Sequence, residues 1–223
     1  MEPVFIVILI GIAVVLLIST IVYVVSRAAA KRRAELEAVA RQAGWSFSAE
    51  TVPPETLGTG DFPLFTHGRA RKARHVMRIS DGVARASAFD YQYTVGGGQH
   101  QNTVTQTVVH VGTPEPLPPF VLSQENIFHK VGGVLGYHDI DFDSSPEFSK
   151  KYLLRSKEAE ARVRDVFTPS VRMYFEQREP LTVEGGAGGL LVYRQGRRVA
   201  PSDLVAFVED ARSVARQFGE GGR

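Results

Sequence analysis

The chain of 223 residues contains no cysteine, which excludes disulfide bonds, thiolate catalysis and cysteine-ligated zinc. It also lacks a Gly-x-Ser-x-Gly nucleophile turn and a pair of histidines at the helical i, i+4 spacing of zinc proteases. The glycine-rich run 185–189 is followed by two leucines, not by the Lys and Ser or Thr of a phosphate-binding loop. These absences favour a non-enzymatic protein, and we expect no cofactor.

The chain also has little excess of positive over negative charge, because its formal net charge is only +2. The positive excess lies in residues 27–41, which carry five basic and two acidic side chains, and the rest of the chain is close to neutral. Nucleic-acid binding depends mainly on neutralising phosphates, so this balance argues against a nucleic acid as the main partner.

What the chain does contain is an uninterrupted apolar run from Val4 to Val25. Its 22 residues would form a helix of about 33 Å, enough to cross a hydrocarbon core of about 30 Å. A cleaved signal peptide is the main alternative, but its apolar core is shorter and its first residues are basic, whereas Glu2 is acidic. We therefore expect a transmembrane anchor over residues 1–26.

A basic helix is predicted directly after the anchor, over residues 27–44, with Gly44 at its end. Basic residues flank membrane spans on the cytoplasmic side, so we expect the N-terminus outside and the C-terminal part in the cytoplasm of a bacterium, at the inner membrane. Anionic lipid headgroups attract such clusters. The residues predicted here to face lipid are Arg27, Lys31, Arg32 and Arg33; the alternative is that they only fix the topology.

Residues 45–218 are predicted to form one α+β domain with an antiparallel sheet and C-terminal helices, followed by a disordered tail over 219–223. The clearest signals are a long hairpin over 83–95 and 103–111, a second hairpin around 185–189, and an amphipathic helix over 201–218. We further expect a turn at 146–149, a helix over 124–130, and Ser156 as the N-cap of a helix over 157–167.

Three carboxylates alternate with apolar residues at Asp139, Asp141 and Asp143. In an extended segment they point to one side, and Ca²⁺ or Mg²⁺ prefers such oxygen ligands, so this is the candidate metal site. The alternative is a strand with one apolar and one solvated face, because the later Glu of a calcium loop is absent and residue 150 is Lys.

Two further features are candidates for surface binding. Residues 69–82, predicted to form a strand followed by a turn, begin with a basic run that could face lipid: Arg69, Arg71, Lys72 and Arg74. The tip of the long hairpin is polar and exposed, with Gly97, Gln99 and His100 as candidate partner-binding residues. An ordinary solvated surface is the alternative in both cases.

Several stretches, among them Phe89–Tyr93, Gln106–Val109, Leu117–Phe120 and Pro146–Leu154, resemble uncharacterised bacterial single-pass membrane proteins, a family of unknown function. The resemblance covers about residues 45–215 and implies no activity and no site residues.

Three functional hypotheses follow. The first is a non-enzymatic cytoplasmic module at the inner membrane that binds a protein or the lipid surface. The second is a small-ligand binder or metal-dependent hydrolase that uses Asp139, Asp141, Asp143 and His138. The third is an assembly subunit of a membrane complex, in which the anchor itself recognises a membrane-protein partner.

Overall fold

The computed structural model describes residues 2–80, 82, 85–98, 100–124, 136–157 and 160–220. The first element is a single helix, α1 (Glu2–Gln42). It joins the predicted anchor and the predicted basic helix without a break. Its apolar residues from Phe5 to Val25 are exposed on all sides. By length and composition α1 can cross a membrane, although a signal sequence meets the same criterion.

The strands that follow α1 form one antiparallel sheet. Along the described chain they are β1 (Ser46–Ser48), β2 (Arg69–Ile79), β3 (Ala86–Val95), β4 (Asn102–Val111), β5 (Phe120–Gln124), β6 (His138–Asp139), β7 (Tyr152–Ser156), β8 (Thr182–Gly186) and β9 (Gly189–Tyr193). Their order in the sheet is β1-β2-β3-β4-β9-β8-β5-β7-β6. With the helices that follow, this architecture confirms the predicted α+β class.

Six helices and two 3₁₀ turns are described in all. After α1, the helices are α2 (Pro63–Thr66), α3 (Pro146–Lys151), α4 (Glu160–Val166), α5 (Pro169–Glu176) and α6 (Leu204–Glu220). The 3₁₀ turns are Pro54–Leu57 and Pro201–Asp203. Residues 221–223 of the predicted tail lie outside the described residues.

The sheet has a hydrophobic core on each face, because successive strand residues point to opposite sides. On one face the α1 residues Leu36 and Ala40 and the apolar stripe of α6 cover Ala86 and Ala88. On the other face the segment around Pro54–Thr66 covers Phe89, Tyr91 and Tyr93 with a smaller aromatic core. We call these the α1 face and the aromatic face.

Both predicted hairpins form. In the first, β3 and β4 pair without a bulge from Ala86 opposite Val111 to Val95 opposite Asn102. In the second, β8 and β9 pair through to Gly186 opposite Gly189, so the turn consists of only two residues. Gly189 has φ +115°, and a Cβ there would meet the Val111 carbonyl oxygen at 2.2 Å, so glycine is required.

One local prediction was wrong, and two others involve residues outside the described part of the chain. The expected turn at 146–149 is part of α3, which starts with Pro146 at its first position, where the missing N–H costs nothing. Ser156 ends β7, and its hydroxyl donates to the Pro119 carbonyl at 2.6 Å. Its role as an N-cap stays a prediction, because residues 158–159 lie outside the described part of the chain. The expected helix over 124–130 falls almost wholly among residues outside the described part of the chain.

Candidate functional site

The most distinctive site is the junction where α1 packs on the sheet. Leu36 and Ala40 lie one turn apart on the same stripe of α1, and both are buried against the α1 face. Arg32 lies one turn earlier on that stripe. The helix is therefore apolar on all sides up to Val25 and amphipathic after it, which lets one helix serve both as a span and as part of the core.

Arg32 forms a two-pronged ion pair with Asp90 of β3. Its Nε donates to Asp90 Oδ2 and its Nη2 to Asp90 Oδ1, each at 2.8 Å. Nη1 donates to the carbonyl oxygen of Val199 at 3.0 Å. The two side chains are only 13% and 7% exposed, so water screens their attraction little. A planar guanidinium matches a carboxylate in this way and fixes one position of the helix on the sheet.

The other groups around Asp90 complete its hydrogen bonding. Thr107 Oγ1 donates to Oδ1 at 2.9 Å, and His75 Nδ1 lies 3.1 Å from Oδ2. Burial by itself raises the pKa of Asp90, but the Arg32 ion pair and the contacts with His75 and Thr107 outweigh it and hold that pKa at about 2. The carboxylate is thus charged at any physiological pH.

His75 reaches Asp90 because β2 bulges twice. The register between β2 and β3 shifts after Arg69 and after Arg74, and Ala70 and His75 have positive φ values of 51° and 52°. Such φ values are strained for residues with a Cβ. The second bulge turns the His75 ring towards Asp90 and stacks it against Phe47, with ring centroids 6.3 Å apart.

A short loop, residues 194–200, is held beside this junction by backbone contacts. The Thr107 N–H donates to the Arg197 carbonyl at 3.1 Å, and the Val199 N–H donates to Thr107 Oγ1 at 3.0 Å. The Gly196 N–H donates to Gln106 Oε1 at 2.9 Å. The loop thus continues the edge of β4 beyond its pairing with β9, and it borders a groove of about 590 Å³.

A second buried carboxylate, Glu184 of β8, lies on the aromatic face. It accepts hydrogen bonds from the Leu64 N–H at 3.0 Å and from the Tyr193 hydroxyl at 2.7 Å. Burial raises the pKa of Glu184 to about 7, although both hydrogen bonds oppose the rise. These contacts tie the segment Pro54–Thr66 to the sheet, so the observed role of Glu184 is structural.

The predicted lipid-facing residues of α1 divide into two groups. Arg27, Lys31 and Arg33 are exposed, with Lys31 in a weak pair with Glu35 at 3.8 Å. Arg32 is different, because its guanidinium is directed into the fold and is occupied by Asp90 and Val199. The structure corrects the expectation for this residue: Arg32 fixes the helix to the domain.

The basic run of β2 is likewise divided between the two faces. The register pairs Arg69 with Thr94 and Lys72 with Gln92, so both belong to the α1 face, since paired residues share a face. Arg69 donates to the Gly96 carbonyl at 2.5 Å. Arg74 is exposed opposite Asp90. Arg71 instead pairs with Glu55 at 3.7 Å, beside the aromatic face.

The three carboxylates of the candidate metal site are exposed and alternate with buried Ile140 and Phe142. Asp139 pairs with Arg155. Among the described residues, no group of three His, Asp or Glu side chains is placed to hold a metal ion. The arrangement matches the alternative of a segment with one apolar and one solvated side, and it gives the metal-dependent hypothesis no support.

The tip of the long hairpin is exposed at Gly97 and His100, and Gln99 falls outside the described residues. A Cβ at Gly97 would meet nothing within 4 Å, which is typical of an open loop. A partner-binding role for this tip stays a prediction.

Sequence reasoning missed the junction itself. Ala86, Ala88 and Asp90 lie on the same face of a predicted strand, and this pattern could have indicated the junction. Small side chains allow a helix to approach closely, and a carboxylate among them needs a buried cation. The five basic residues after the apolar run were the natural candidates for that cation.

Comparison with known proteins gives one structural relationship. No family model matches the chain, and no curated protein matches it. The crystal structure of the mycobacterial trehalose monomycolate transport factor A, TtfA, is similar in fold, with a TM-score of 0.55. The two sequences are 12% identical, and the similarity covers 86% of this chain and 93% of that chain. At this identity the match shows a shared fold; membership in a family of bacterial single-pass membrane proteins stays a prediction compatible with it.

Proposed function

We propose that this protein is a non-enzymatic factor of bacterial envelope-lipid transport, anchored in the inner membrane by α1. Its folded domain lies on the cytoplasmic side and binds the lipid surface or a membrane protein there. The observation that carries the proposal is the junction: the apolar span and the domain share one helix, and Arg32 and Asp90 lock that helix to the sheet.

A locked junction has a functional consequence. Domains joined to a span by a flexible linker sample many distances from the membrane, whereas a continuous helix of fixed length sets one distance. Arg32 lies seven residues after Val25, so the domain would begin about 10 Å beyond the apolar run. This geometry suits a protein whose task is to hold a binding surface at the membrane.

The charge distribution supports the cytoplasmic orientation. Arg27, Lys31 and Arg33 are exposed directly after the apolar run, and exposed basic residues mark the cytoplasmic end of a span. Protease treatment of spheroplasts and of inverted inner-membrane vesicles tests this. We expect cleavage of the domain only in inverted vesicles, and cleavage in intact spheroplasts would contradict the orientation.

A binding role is also favoured by what the buried carboxylates do. Asp90 is saturated by Arg32, His75 and Thr107, and Glu184 accepts from Leu64 and Tyr193. Acid–base catalysis needs a carboxylate that can reach a substrate, and these two serve the fold instead. The similar structure, TtfA, is a mycobacterial trehalose monomycolate transport factor, which supports lipid transport as the process.

The proposal is tested by deleting the gene in the source bacterium and comparing the lipids of the inner membrane with those of the outer envelope. We expect one lipid class to accumulate at the inner membrane and to return to its normal distribution with the full chain. A chain without residues 1–26 should fail to restore it. An unchanged lipid distribution after deletion would overturn the assignment to lipid transport.

A chain in which residues 4–25 are replaced by an unrelated span serves as the matched control. If the domain carries the function, this chain restores the lipid distribution. Failure of the swapped chain, at normal abundance in the membrane, would contradict the domain-based proposal and favour recognition by the anchor itself.

A further inference from the structure

Loop 194–200 lies beside the point where α1 would leave the membrane. Val199 accepts a hydrogen bond from Arg32, which lies about 10 Å beyond Val25 along the helix axis. Headgroups occupy roughly 5–7 Å beyond the hydrocarbon core, and a typical tilt of about 20° changes the axial distance by less than 1 Å. Helical side chains also lean towards the N-terminus, here towards the membrane. The loop is therefore placed at the edge of the headgroup layer.

The direction of α1 across the sheet leads to the same place. Its C-terminal end passes into β1, where Ser46 lies opposite Arg78 at the far end of β2. Arg32, twelve residues before Gly44, contacts Asp90 of β3, Thr107 of β4 and Val199. Towards the membrane, the helix thus crosses from the β1 edge to β4 and the loop, and the Pro201–Asp203 turn packs against it there.

Two arginines of this loop have no acidic partner among the described residues. Arg197 and Arg198 are exposed, and no carboxylate of the described residues lies within 4.0 Å of either guanidinium. Arg194 is different, because it pairs with Glu179 at 3.6 Å and lies over the Phe207 ring at 5.2 Å. Hydrogen bonds to Gln106 and Thr107 hold the backbone at Gly196 and Arg197, so the guanidinium groups of Arg197 and Arg198 project from a fixed segment of the chain.

The groove next to these arginines has room for a lipid headgroup. Its volume of about 590 Å³ is in the range of small-molecule sites, and its lining includes Arg194, Arg197, Arg198, Val199 and Phe207. Three acidic residues also line the groove: Glu179 and Asp210 are already paired with Arg194 and Arg178, and Asp203 accepts a hydrogen bond from the Ser202 hydroxyl.

We propose that Arg197 and Arg198 form a binding site for the phosphate of an anionic phospholipid in the cytoplasmic leaflet of the inner membrane. The proposal rests on the proposed function, since it requires α1 to span the membrane. It adds a second membrane contact beside the junction, which restrains rotation of the domain about α1. Together with Arg27, Lys31 and Arg33, these two residues present a basic surface to the headgroups.

The test uses the full chain in mild detergent, titrated with phosphatidylglycerol or with phosphatidylcholine of the same acyl chains and observed by native mass spectrometry. The informative variant is Arg197→Gln with Arg198→Gln. Its matched control is Arg78→Gln with Arg85→Gln, which removes the same charge from two exposed arginines at the other end of the sheet. Equal thermal unfolding of all three chains shows that each is folded.

We expect the full chain to prefer phosphatidylglycerol. Because each basic residue near an anionic surface contributes about fivefold in affinity, the loop variant should bind phosphatidylglycerol about 25-fold more weakly. Phosphatidylcholine binding and the control variant should be unchanged. Equal phosphatidylglycerol binding by the loop variant and the unaltered chain overturns the site.

A third variant separates this inference from the proposed function. If Arg27→Gln with Lys31→Gln and Arg33→Gln weakens phosphatidylglycerol binding while the loop variant does not, the loop site is wrong and a lipid-facing role of the anchor region stands. If the unaltered chain shows no preference for the anionic lipid, lipid-surface binding itself fails. The last measurement uses glycerol 3-phosphate in place of a lipid. If the unaltered chain retains it as an adduct and the loop variant does not, the site binds soluble phosphates, and the lipid proposal is overturned.

Discussion

Arg32 and Asp90 are 58 residues apart in the chain, yet their side chains meet in two parallel hydrogen bonds of 2.8 Å each. The pair joins the helix that would span the membrane to the centre of a hairpin in the sheet. Because both groups are nearly buried, neither can be rehydrated without moving the helix. The orientation of the domain relative to the apolar part of α1 therefore depends on this contact and on the apolar stripe beside it.

Asp90→Asn tests that dependence. The substitution leaves the Arg32 guanidinium buried without a counter-charge, and we expect a loss of about 3–5 kcal/mol in the free energy of unfolding. The fluorescence of Trp45, the one tryptophan of the chain, reports unfolding in urea, since its ring packs against the core at the end of α1.

Two further variants give comparison values for the stability loss of Asp90→Asn. Glu55→Gln removes a partner from the exposed pair with Arg71 and should cost less than about 1 kcal/mol. Arg32→Gln combined with Asp90→Asn should be more stable than Asp90→Asn alone, because no unpaired charge remains. Equal losses for the single and double variants would contradict a buried ion pair.

Leu36→Ala tests the apolar part of the junction. The Leu36 side chain is 1% exposed, and its truncation should lower the free energy of unfolding by about 2–5 kcal/mol through lost burial and a cavity. Glu35→Ala, one residue earlier on the exposed side of α1, is the matched control and should change stability by less than about 0.5 kcal/mol. Similar effects of both changes would mean that α1 is not packed on the sheet.

Glu184 predicts a pH dependence of stability. Its pKa is about 7 in the folded chain against 4.5 in the unfolded chain, so the folded state binds more protons between these values. Stability from this group is fully present below pH 4.5 and is lost as the pH rises through 7, by on the order of 3 kcal/mol. Glu184→Gln should remove this dependence and be the more stable form at pH 8, as measured by urea unfolding at several pH values. A parallel pH profile for both chains would refute the assignment.

Gly185→Ala tests the packing between β8 and β5. A Cβ at Gly185 would come within 2.2 Å of the Phe120 ring, which packs edge-on against Phe167 and stacks on Phe218. The ring has little freedom to move, so we expect a loss of about 1–3 kcal/mol or more in the free energy of unfolding. At Gly97 an added Cβ meets nothing within 4 Å, and Gly97→Ala should be neutral. Thermal unfolding monitored by near-ultraviolet circular dichroism compares the two, and an equally stable Gly185→Ala chain would contradict the packing.

The sequence by itself determined the features that follow from local patterns. The apolar run to Val25, the hairpin of β3 and β4 and the stripe of α6 could all be predicted, because hydrophobic periodicity is a property of neighbouring residues. The short helix α3 was missed, since six residues starting with a proline read equally well as a turn. The same local reasoning grouped Arg32 with Arg27, Lys31 and Arg33, because all four lie in one basic run.

Only the tertiary structure separated Arg32 from the other three basic residues. Which cation meets Asp90 depends on how the helix lies across the sheet. Leu36 and Ala40 help to set that arrangement, because they are buried in the same core as Ala86 and Ala88 of β3. The position of loop 194–200 beside α1 was decided in the same way, through Thr107 and Arg32. These contacts join residues between 58 and 167 positions apart in the chain, a separation at which spacing along the sequence carries no geometric information.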